Sequence, residues 1–120
     1  MLNVPSGKTL YLAGGAVLTA QVYFKDVERA AVTGRGVIAS PYNGILCEGS
    51  KNIRVEDVIV LNPRGGYVTT LGESENVHIR KLRGFSSRGN GDGIDIFSSS
   101  SVVLDGCFLR TSDDCVAIYL

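Results

Sequence analysis

Ser50-Lys51-Asn52-Ile53-Arg54-Val55 aligns with Ser74-Glu75-Asn76-Val77-His78-Ile79 and again, more weakly, with Ser99-Ser100-Ser101-Val102-Val103-Leu104. Glu28-Arg29-Ala30-Ala31-Val32 forms an earlier copy at a similar offset. The period is roughly two dozen positions throughout, and self-similarity on that scale signals a solenoid. Within each copy the apolar residues alternate, Ile53 and Val55 against Asn52, Arg54 and Glu56, which is the period of a half-buried strand and not of a helix. A second short strand per copy is visible at Ile45-Leu46-Cys47, Tyr67-Val68-Thr69, Ile94-Asp95-Ile96 and Cys115-Val116-Ala117-Ile118. Nothing between these strands has a helical period, so leucine-rich and helical repeats are excluded. What remains is a coil of strands, each pairing with its equivalent one turn away, with inward side chains stacked in apolar ladders.

The repeated Asn52 and Asn76 are expected in turns, their amides bonding to backbone or to the neighbouring coil. Gly34-Arg35-Gly36 is expected to be a turn rather than a phosphate loop, because no helix pattern follows it.

Composition bounds the partners. The 120 residues suffice for one domain, and 12 Lys and Arg balance 12 Asp and Glu without a basic run, so nucleic acid and anionic membrane are not expected partners. No apolar stretch is long enough to span a bilayer, and Met1-Leu2-Asn3-Val4-Pro5 has no basic segment leading into an apolar one, so no signal peptide is visible. Cys47, Cys107 and Cys115 lack metal-type spacing and read as small buried hydrophobes.

Against this repeat, Asn90-Gly91-Asp92-Gly93-Ile94-Asp95 and Ser112-Asp113-Asp114-Cys115 place Asp92 and Asp113 close to one period apart. Asp92, Asp113 and Asp114 are therefore expected on adjacent coils, with Asp113 and Asp114 sharing a cleft only if the backbone bends there. Crowded carboxylates can hold one member protonated near neutral pH while another stays ionised, the division of labour that acid/base hydrolysis needs. Asp95 follows Asp92 by an odd number of positions, so regular alternation would turn it to the other face, in a structural or supporting role. A calcium loop is not expected: an EF-hand register puts Arg88 at its first ligand position, and the glycine-rich segment does not recur. Neither a metal nor another cofactor is expected.

These motifs carry a family resemblance. Asn90-x-Asp92-Gly93-x-Asp95, followed by Asp113-Asp114-Cys115-Val116-Ala117-Ile118, resembles the polygalacturonase-type enzymes of glycoside hydrolase family 28. Asn62-Pro63, the Tyr67 to Leu71 segment and Glu75-Asn76-Val77-His78-Ile79 resemble the preceding coils of that family. The likeness is good over residues 50–119 and loose over 4–40. It implies an all-β, right-handed, single-stranded parallel β-helix of about four to five coils with uncapped ends, occupying residues 1–120 as part of a longer domain. The implied activity is inverting hydrolysis of α-linked bonds in pectin-like polysaccharide, by a secreted or periplasmic enzyme. By position, Asp113 would protonate the leaving oxygen, while Asp92 and Asp114 would hold and deprotonate water. Asn90, Asp95 and Arg88 would bind substrate or support these groups. Inversion ordinarily asks for carboxyls about 6.5 to 9.5 Å apart.

The resemblance has gaps. Gly91 stands where the family usually has Thr, and Ser112 where Gly or Gln is common. The family's G-H-G and R-x-K motifs would fall after Leu120, and neither His78, on an upstream strand, nor Arg80-Lys81 replaces them. Arg88 and Arg110 flank the motifs and read first as solvated turn charges. The chain is accordingly expected to be a fragment, weakly active or inactive alone and prone to self-association through open ends. A dextranase-type hydrolase and a non-catalytic glycan-binding β-helix remain as alternatives, and a calcium-dependent pectate lyase would share the architecture.

Overall fold

The computed structural model describes residues 1–39 and 41–120, and among them are sixteen strands and no helix. Each full turn consists of three strands. The first turn holds β1 (Leu2–Asn3), β2 (Thr9–Tyr11) and β3 (Val17–Leu18), and the second β4 (Val22–Lys25), β5 (Glu28–Thr33) and β6 (Val37–Ala39). The third comprises β7 (Ile45–Glu48), β8 (Lys51–Glu56) and β9 (Ile59–Leu61), and the fourth β10 (Thr69–Gly72), β11 (Glu75–Arg80) and β12 (Arg83–Phe85). The fifth has β13 (Ile94–Phe97), β14 (Ser100–Asp105) and β15 (Phe108–Arg110), after which β16 (Val116–Tyr119) opens a sixth.

Equivalent strands pair in parallel, giving sheet A in the order β1-β4-β7-β10-β13-β16, sheet B as β2-β5-β8-β11-β14 and sheet C as β3-β6-β9-β12-β15. The result is the expected right-handed parallel β-helix, the hand that parallel crossovers adopt almost without exception. The third strand of each coil is not foreshadowed by the sequence: Arg83-Gly84-Phe85 has no apolar pattern and is held by pairing with Ile59-Val60-Leu61 and Phe108-Leu109-Arg110.

The offsets between sequence copies reappear as register. Ala30 pairs with Ile53, Ile53 with Val77, and Val77 with Val102, the same positions that align when the chain is laid against itself. Inside the coil such positions make the apolar ladders. Val22, Ile45, Thr69 and Ile94 form one row, Phe24, Cys47, Leu71 and Ile96 the next, and all are buried.

Asn52 and Asn76 differ from expectation. They sit within β8 and β11, not in turns, at left-handed φ values of 57° and 55°. Arg29 and Ser101 take the same conformation at equivalent places, and the register skips all four. The skipped residues face one another on successive coils, so β5, β8, β11 and β14 share one left-handed bend at the same place without losing register. Asn suits such a site because its short polar side chain tolerates αL, and Asn76 Nδ2 donates to Asn52 Oδ1 at 2.5 Å across the coil boundary.

A serine stack fastens the corner between sheets A and B. Ser50, Ser74 and Ser99 hydroxyls donate to the carbonyls of Glu48, Gly72 and Phe97, each at 2.9 Å. In turn they accept the amides of Val27, Ser50 and Ser74 on the preceding coil, at 3.2, 3.2 and 3.0 Å. The repeated Ser at the start of each copy therefore satisfies corner amides that the sheets leave unpaired.

Candidate active site

The site lies where the chain re-enters sheet A, from the segments 86–93 and 111–115 that precede β13 and β16. The backbone is bent at Ser112, Asp113 and Cys115, which supplies the turn that the sequence required for Asp113 and Asp114 to share a cleft. Each of Asp92, Asp113 and Asp114 offers a carboxylate oxygen, and these oxygens all lie within 4.8 Å of one another. Asp92 is buried, whereas Asp113 and Asp114 are exposed. The motifs are also joined directly: the Asp114 amide donates to Asp92 Oδ1 at 3.1 Å, and Gly93 and Ile94 amides donate to the carbonyls of Asp114 and Cys115 at 2.8 and 2.9 Å.

This approach leaves no room for side chains at two glycines. A Cβ at Gly93 would strike the Cys115 carbonyl, and one at Gly91 would strike the Ser112 hydroxyl and lie 2.8 Å from the Arg88 carbonyl. Ser112 Oγ instead donates to that Arg88 carbonyl, while Ser86 Oγ donates to the Gly91 carbonyl at 2.6 Å. The two departures from the family pattern thus meet in space. The side chain absent at Gly91 leaves the volume that Ser112 fills from the next coil.

Asp95 departs from the orientation inferred by alternation. Regular strand begins only at Ile94, so counting faces from Asp92 through the bent Gly93 does not hold. Asp95 is 1% exposed, neither of its carboxylate oxygens receives a hydrogen bond, and its register neighbours are Thr70 and Ala117. Its pKa is pushed up to about 7, first by burial, then by a hydrogen bond that its protonated form can share with Asp92 and by the charges of Asp92, Asp114 and Asp113. The carboxyl held protonated towards neutrality is therefore one that the sequence reading placed outside the cluster. An acidic residue between Ile94 and Ile96 was the available signal, since a carboxylate flanked by two inward Ile residues lies in a largely buried strand.

The other candidates take peripheral places. Asn90 is exposed at a left-handed φ of 58° and its carbonyl accepts the Asp92 amide at 3.0 Å, so it shapes the turn that presents Asp92. Arg88 is exposed and contributes its carbonyl to the Ser112 contact. Arg110 and His78 are exposed, as expected. Of the cysteines only Cys47 is buried, and burial raises its pKa; Cys107 is half-buried, and Cys115 beside Asp114 is exposed, contrary to expectation for both.

A shallow groove of about 480 Å³ runs along the outer face of sheet A, lined by Lys25, Leu46, Glu48, Thr70 and Phe97. Thr70 links it to the carboxylates through its pairing with Asp95. Phe97 stacks on Tyr119 with ring centroids 4.5 Å apart and planes 7° from parallel. On the opposite side the register neighbour of Phe97 is Gly72, which has no side chain to cover the ring.

The model for glycosyl hydrolases family 28 matches residues 7–119. The chain belongs to this family. It is 30% identical over 105 residues to endopolygalacturonase A of Aspergillus niger, covering 88% of this chain and 23% of that protein. It is 37% identical over 71 residues to a polygalacturonase of Chamaecyparis obtusa, covering 58% of this chain and 14% of that one. A probable polygalacturonase of Arabidopsis thaliana is 29% identical over 110 residues, covering 81% and 24%. The family 28 chain thus spans about a quarter or less of the length of these curated relatives. A crystal structure from Parabacteroides merdae, provisionally described as a glycosyl hydrolase, superposes with a TM-score of 0.69 at 15% identity, over 89% of this chain and 76% of that one, and shares the fold.

Proposed function

We propose that the carboxylate cluster hydrolyses α-linked glycosidic bonds in a pectin-like polysaccharide, with inversion at the anomeric carbon. The observation carrying this reading is the convergence of Asp92, Asp113 and Asp114 from two coils, with their carboxylate oxygens within 4.8 Å of one another. Asp113, exposed at the cleft, donates a proton to the departing glycosidic oxygen. Asp92 and Asp114 orient a water and remove its proton as its oxygen attacks carbon from the opposite face. The proton count closes, since one carboxyl loses a proton to the leaving alcohol and another gains one from water. The nearest oxygens, at up to 4.8 Å, are closer than the usual spacing for inversion, so the stereochemical assignment rests on family membership rather than on distance.

The groove favours a second substrate class beside polygalacturonate. Asp26, Glu48 and Glu73 line it against Lys25, and Lys25 already pairs with Glu48 at 3.5 Å. Such negative excess repels a fully ionised polyuronate and suits a methyl-esterified pectin or a neutral α-glucan, the dextranase-type alternative. Family membership also supports export to the polysaccharide substrate.

The test is reducing-end release from polygalacturonate, esterified pectin and α-glucans, using the chain and, where it is encoded within a longer polypeptide, that polypeptide. Cleavage of at least one polymer is expected, with an inverted anomer by NMR and a loss of about 100-fold or more in Asp113→Asn, on the order of a general acid's contribution. Absence of cleavage on every polymer, or full activity in Asp113→Asn, would overturn the reading. Glycan binding that survives Asp92→Ala and Asp113→Ala without turnover would establish a non-catalytic binding protein instead.

A further inference from the structure

Asp95 is buried beside the cluster with no donor for either oxygen, and Thr70, its neighbour in the register, also has an unpartnered Oγ1. An ionised carboxylate in that position would be desolvated without compensation, the least favourable state for a buried charge. A protonated one is neutral and gains a single donor. Two acceptors stand beside it, the Asp92 carboxylate and the Thr70 hydroxyl, and a hydrogen bond to the charged one is the stronger.

We propose that Asp95 keeps a proton and donates it in a hydrogen bond to Asp92, holding the Asp92 carboxylate ionised and aimed at the water it activates. Asp92 then accepts from both sides, from the Asp95 hydroxyl and from the Asp114 amide at 3.1 Å. Two donors fix the plane of a carboxylate. The Asp95 proton stays on Asp95 throughout turnover, so Asp95 is a positioning residue and the proton taken from water goes to the Asp92 and Asp114 pair. This rests on the reading of Asp92 as a water-binding base.

The environment favours that state. The segment 86–93 contributes Asp92, the segment 111–115 contributes Asp113 and Asp114, and β16 contributes Tyr119, whose own pKa is raised by burial and then by Asp95, Asp92 and Asp114. Strand β10 places Thr69, Thr70, Leu71 and Gly72 alongside and adds no titratable group. Repulsion from the acidic neighbours and burial act in the same direction on Asp95, towards the protonated form. As pH rises through about 7 the shared proton is lost and Asp92 loses a donor while gaining a charged neighbour.

Two measurements decide the matter. Carbon-detected NMR of side-chain carboxyls in the chain should show a step near pH 7 sensed by both Asp95 and Asp92, and Asp95→Asn should remove it from Asp92. In kinetics, Asp95→Asn retains an N–H donor that cannot ionise, so kcat at pH 5 should fall about threefold while the decline through pH 7 disappears. Asp95→Ala should lose about 30-fold in kcat, within the range for mispositioned catalytic groups. An Asp95 midpoint near the ordinary value of about 4, or an Asp95→Asn profile that still declines through pH 7, overturns the proposal. A purely structural role would lower thermal stability without moving the profile, and that too overturns it. If no polymer is cleaved the hydrolase reading fails, yet the carboxyl titration still decides the Asp95–Asp92 pairing.

Discussion

The backbone amide of Asp114 donates to the side chain of Asp92 across a coil boundary, at 3.1 Å. One motif therefore holds a carboxylate of the other, and the two segments behave as a unit. In Asp92→Asn the amide oxygen can still accept that bond, whereas Asp92→Ala leaves the Asp114 amide without it. Both variants should lose about 10²-fold or more in kcat as general-base mutants. Only Asp92→Ala should also speed hydrogen exchange at Asp114, measured on the folded protein; equal exchange in the two would show that the bond does not organise the site.

Stability should depend on pH through Asp95. Its folded pKa is raised from 3.8 to about 7, so between these values the folded state binds more protons than the unfolded one, and stability falls as pH rises across that window. Asp95→Asn cannot ionise and should flatten this slope, making the variant the more stable form at pH 8 by on the order of a few kcal/mol. Urea denaturation at pH 4, 6 and 8 measures it, and parallel curves for the two proteins would refute the linkage.

Gly91 and Ser112 should be energetically coupled. Gly91→Thr alone should destabilise by about 1–3 kcal/mol, the usual cost of overpacking, because its Cβ meets the Ser112 hydroxyl. Adding Ser112→Gly should recover part of that loss, and a double-mutant cycle would report the interaction. Additive effects would mean that the contact between the two departures is incidental.

Thr69 occupies an inward row between Ile45 and Ile94, fully buried, with its hydroxyl unpartnered. Thr69→Val keeps the shape and removes the unsatisfied polar atom, so it should stabilise the fold by about 1 kcal/mol, the lower range of an unsatisfied buried group. Denaturant midpoints test this, and destabilisation would reveal an unrecorded partner for the hydroxyl.

On the proposed polysaccharide reading, the open face of Phe97 over Gly72 would receive the apolar face of a sugar ring. Phe97→Ala should raise KM about fivefold with a smaller change in kcat, the loss expected when an aromatic contact worth about 1 kcal/mol is removed. An unchanged KM would take the groove out of the substrate path.

Much of this was readable in the chain, and the reasons differ by element. Ile53, Val55, Val77 and Ile79 announce β8 and β11 because long strands with one buried face leave a clear alternation. Short strands such as β12 leave none, since their identity resides in the strands of the coils on either side. The convergence of Asp92 with Asp113 and Asp114 follows from coil length together with the bend at Ser112, Asp113 and Cys115, and only the first of these is written in the spacing. Alternation counted from Asp92 turns Asp95 to the other face in a supporting role, but alternation holds only within a strand, and Gly93 lies outside β13. Asn52 and Asn76 read as turn residues in sequence because Asn favours left-handed backbone, which here falls inside β8 and β11 instead.

Thr69 pairs with Ile94 and Ile94 with Val116, and the second of these steps along the chain is the shorter. Sheet B takes the same strand length on successive coils, as β11 and β14 show, so the shortening falls in the connecting segments: 111–115 is shorter than 86–93. These two segments carry the clustered aspartates, and they act as spacers of unequal length between fixed ladders. Lengthening 111–115 by a single residue would slide Asp113 and Asp114 past Asp92 and strain the cross-coil bonds from the Asp114 and Gly93 amides. Spacer length at this corner therefore sets how the two motifs meet, and the bonds between coils hold it at its present value.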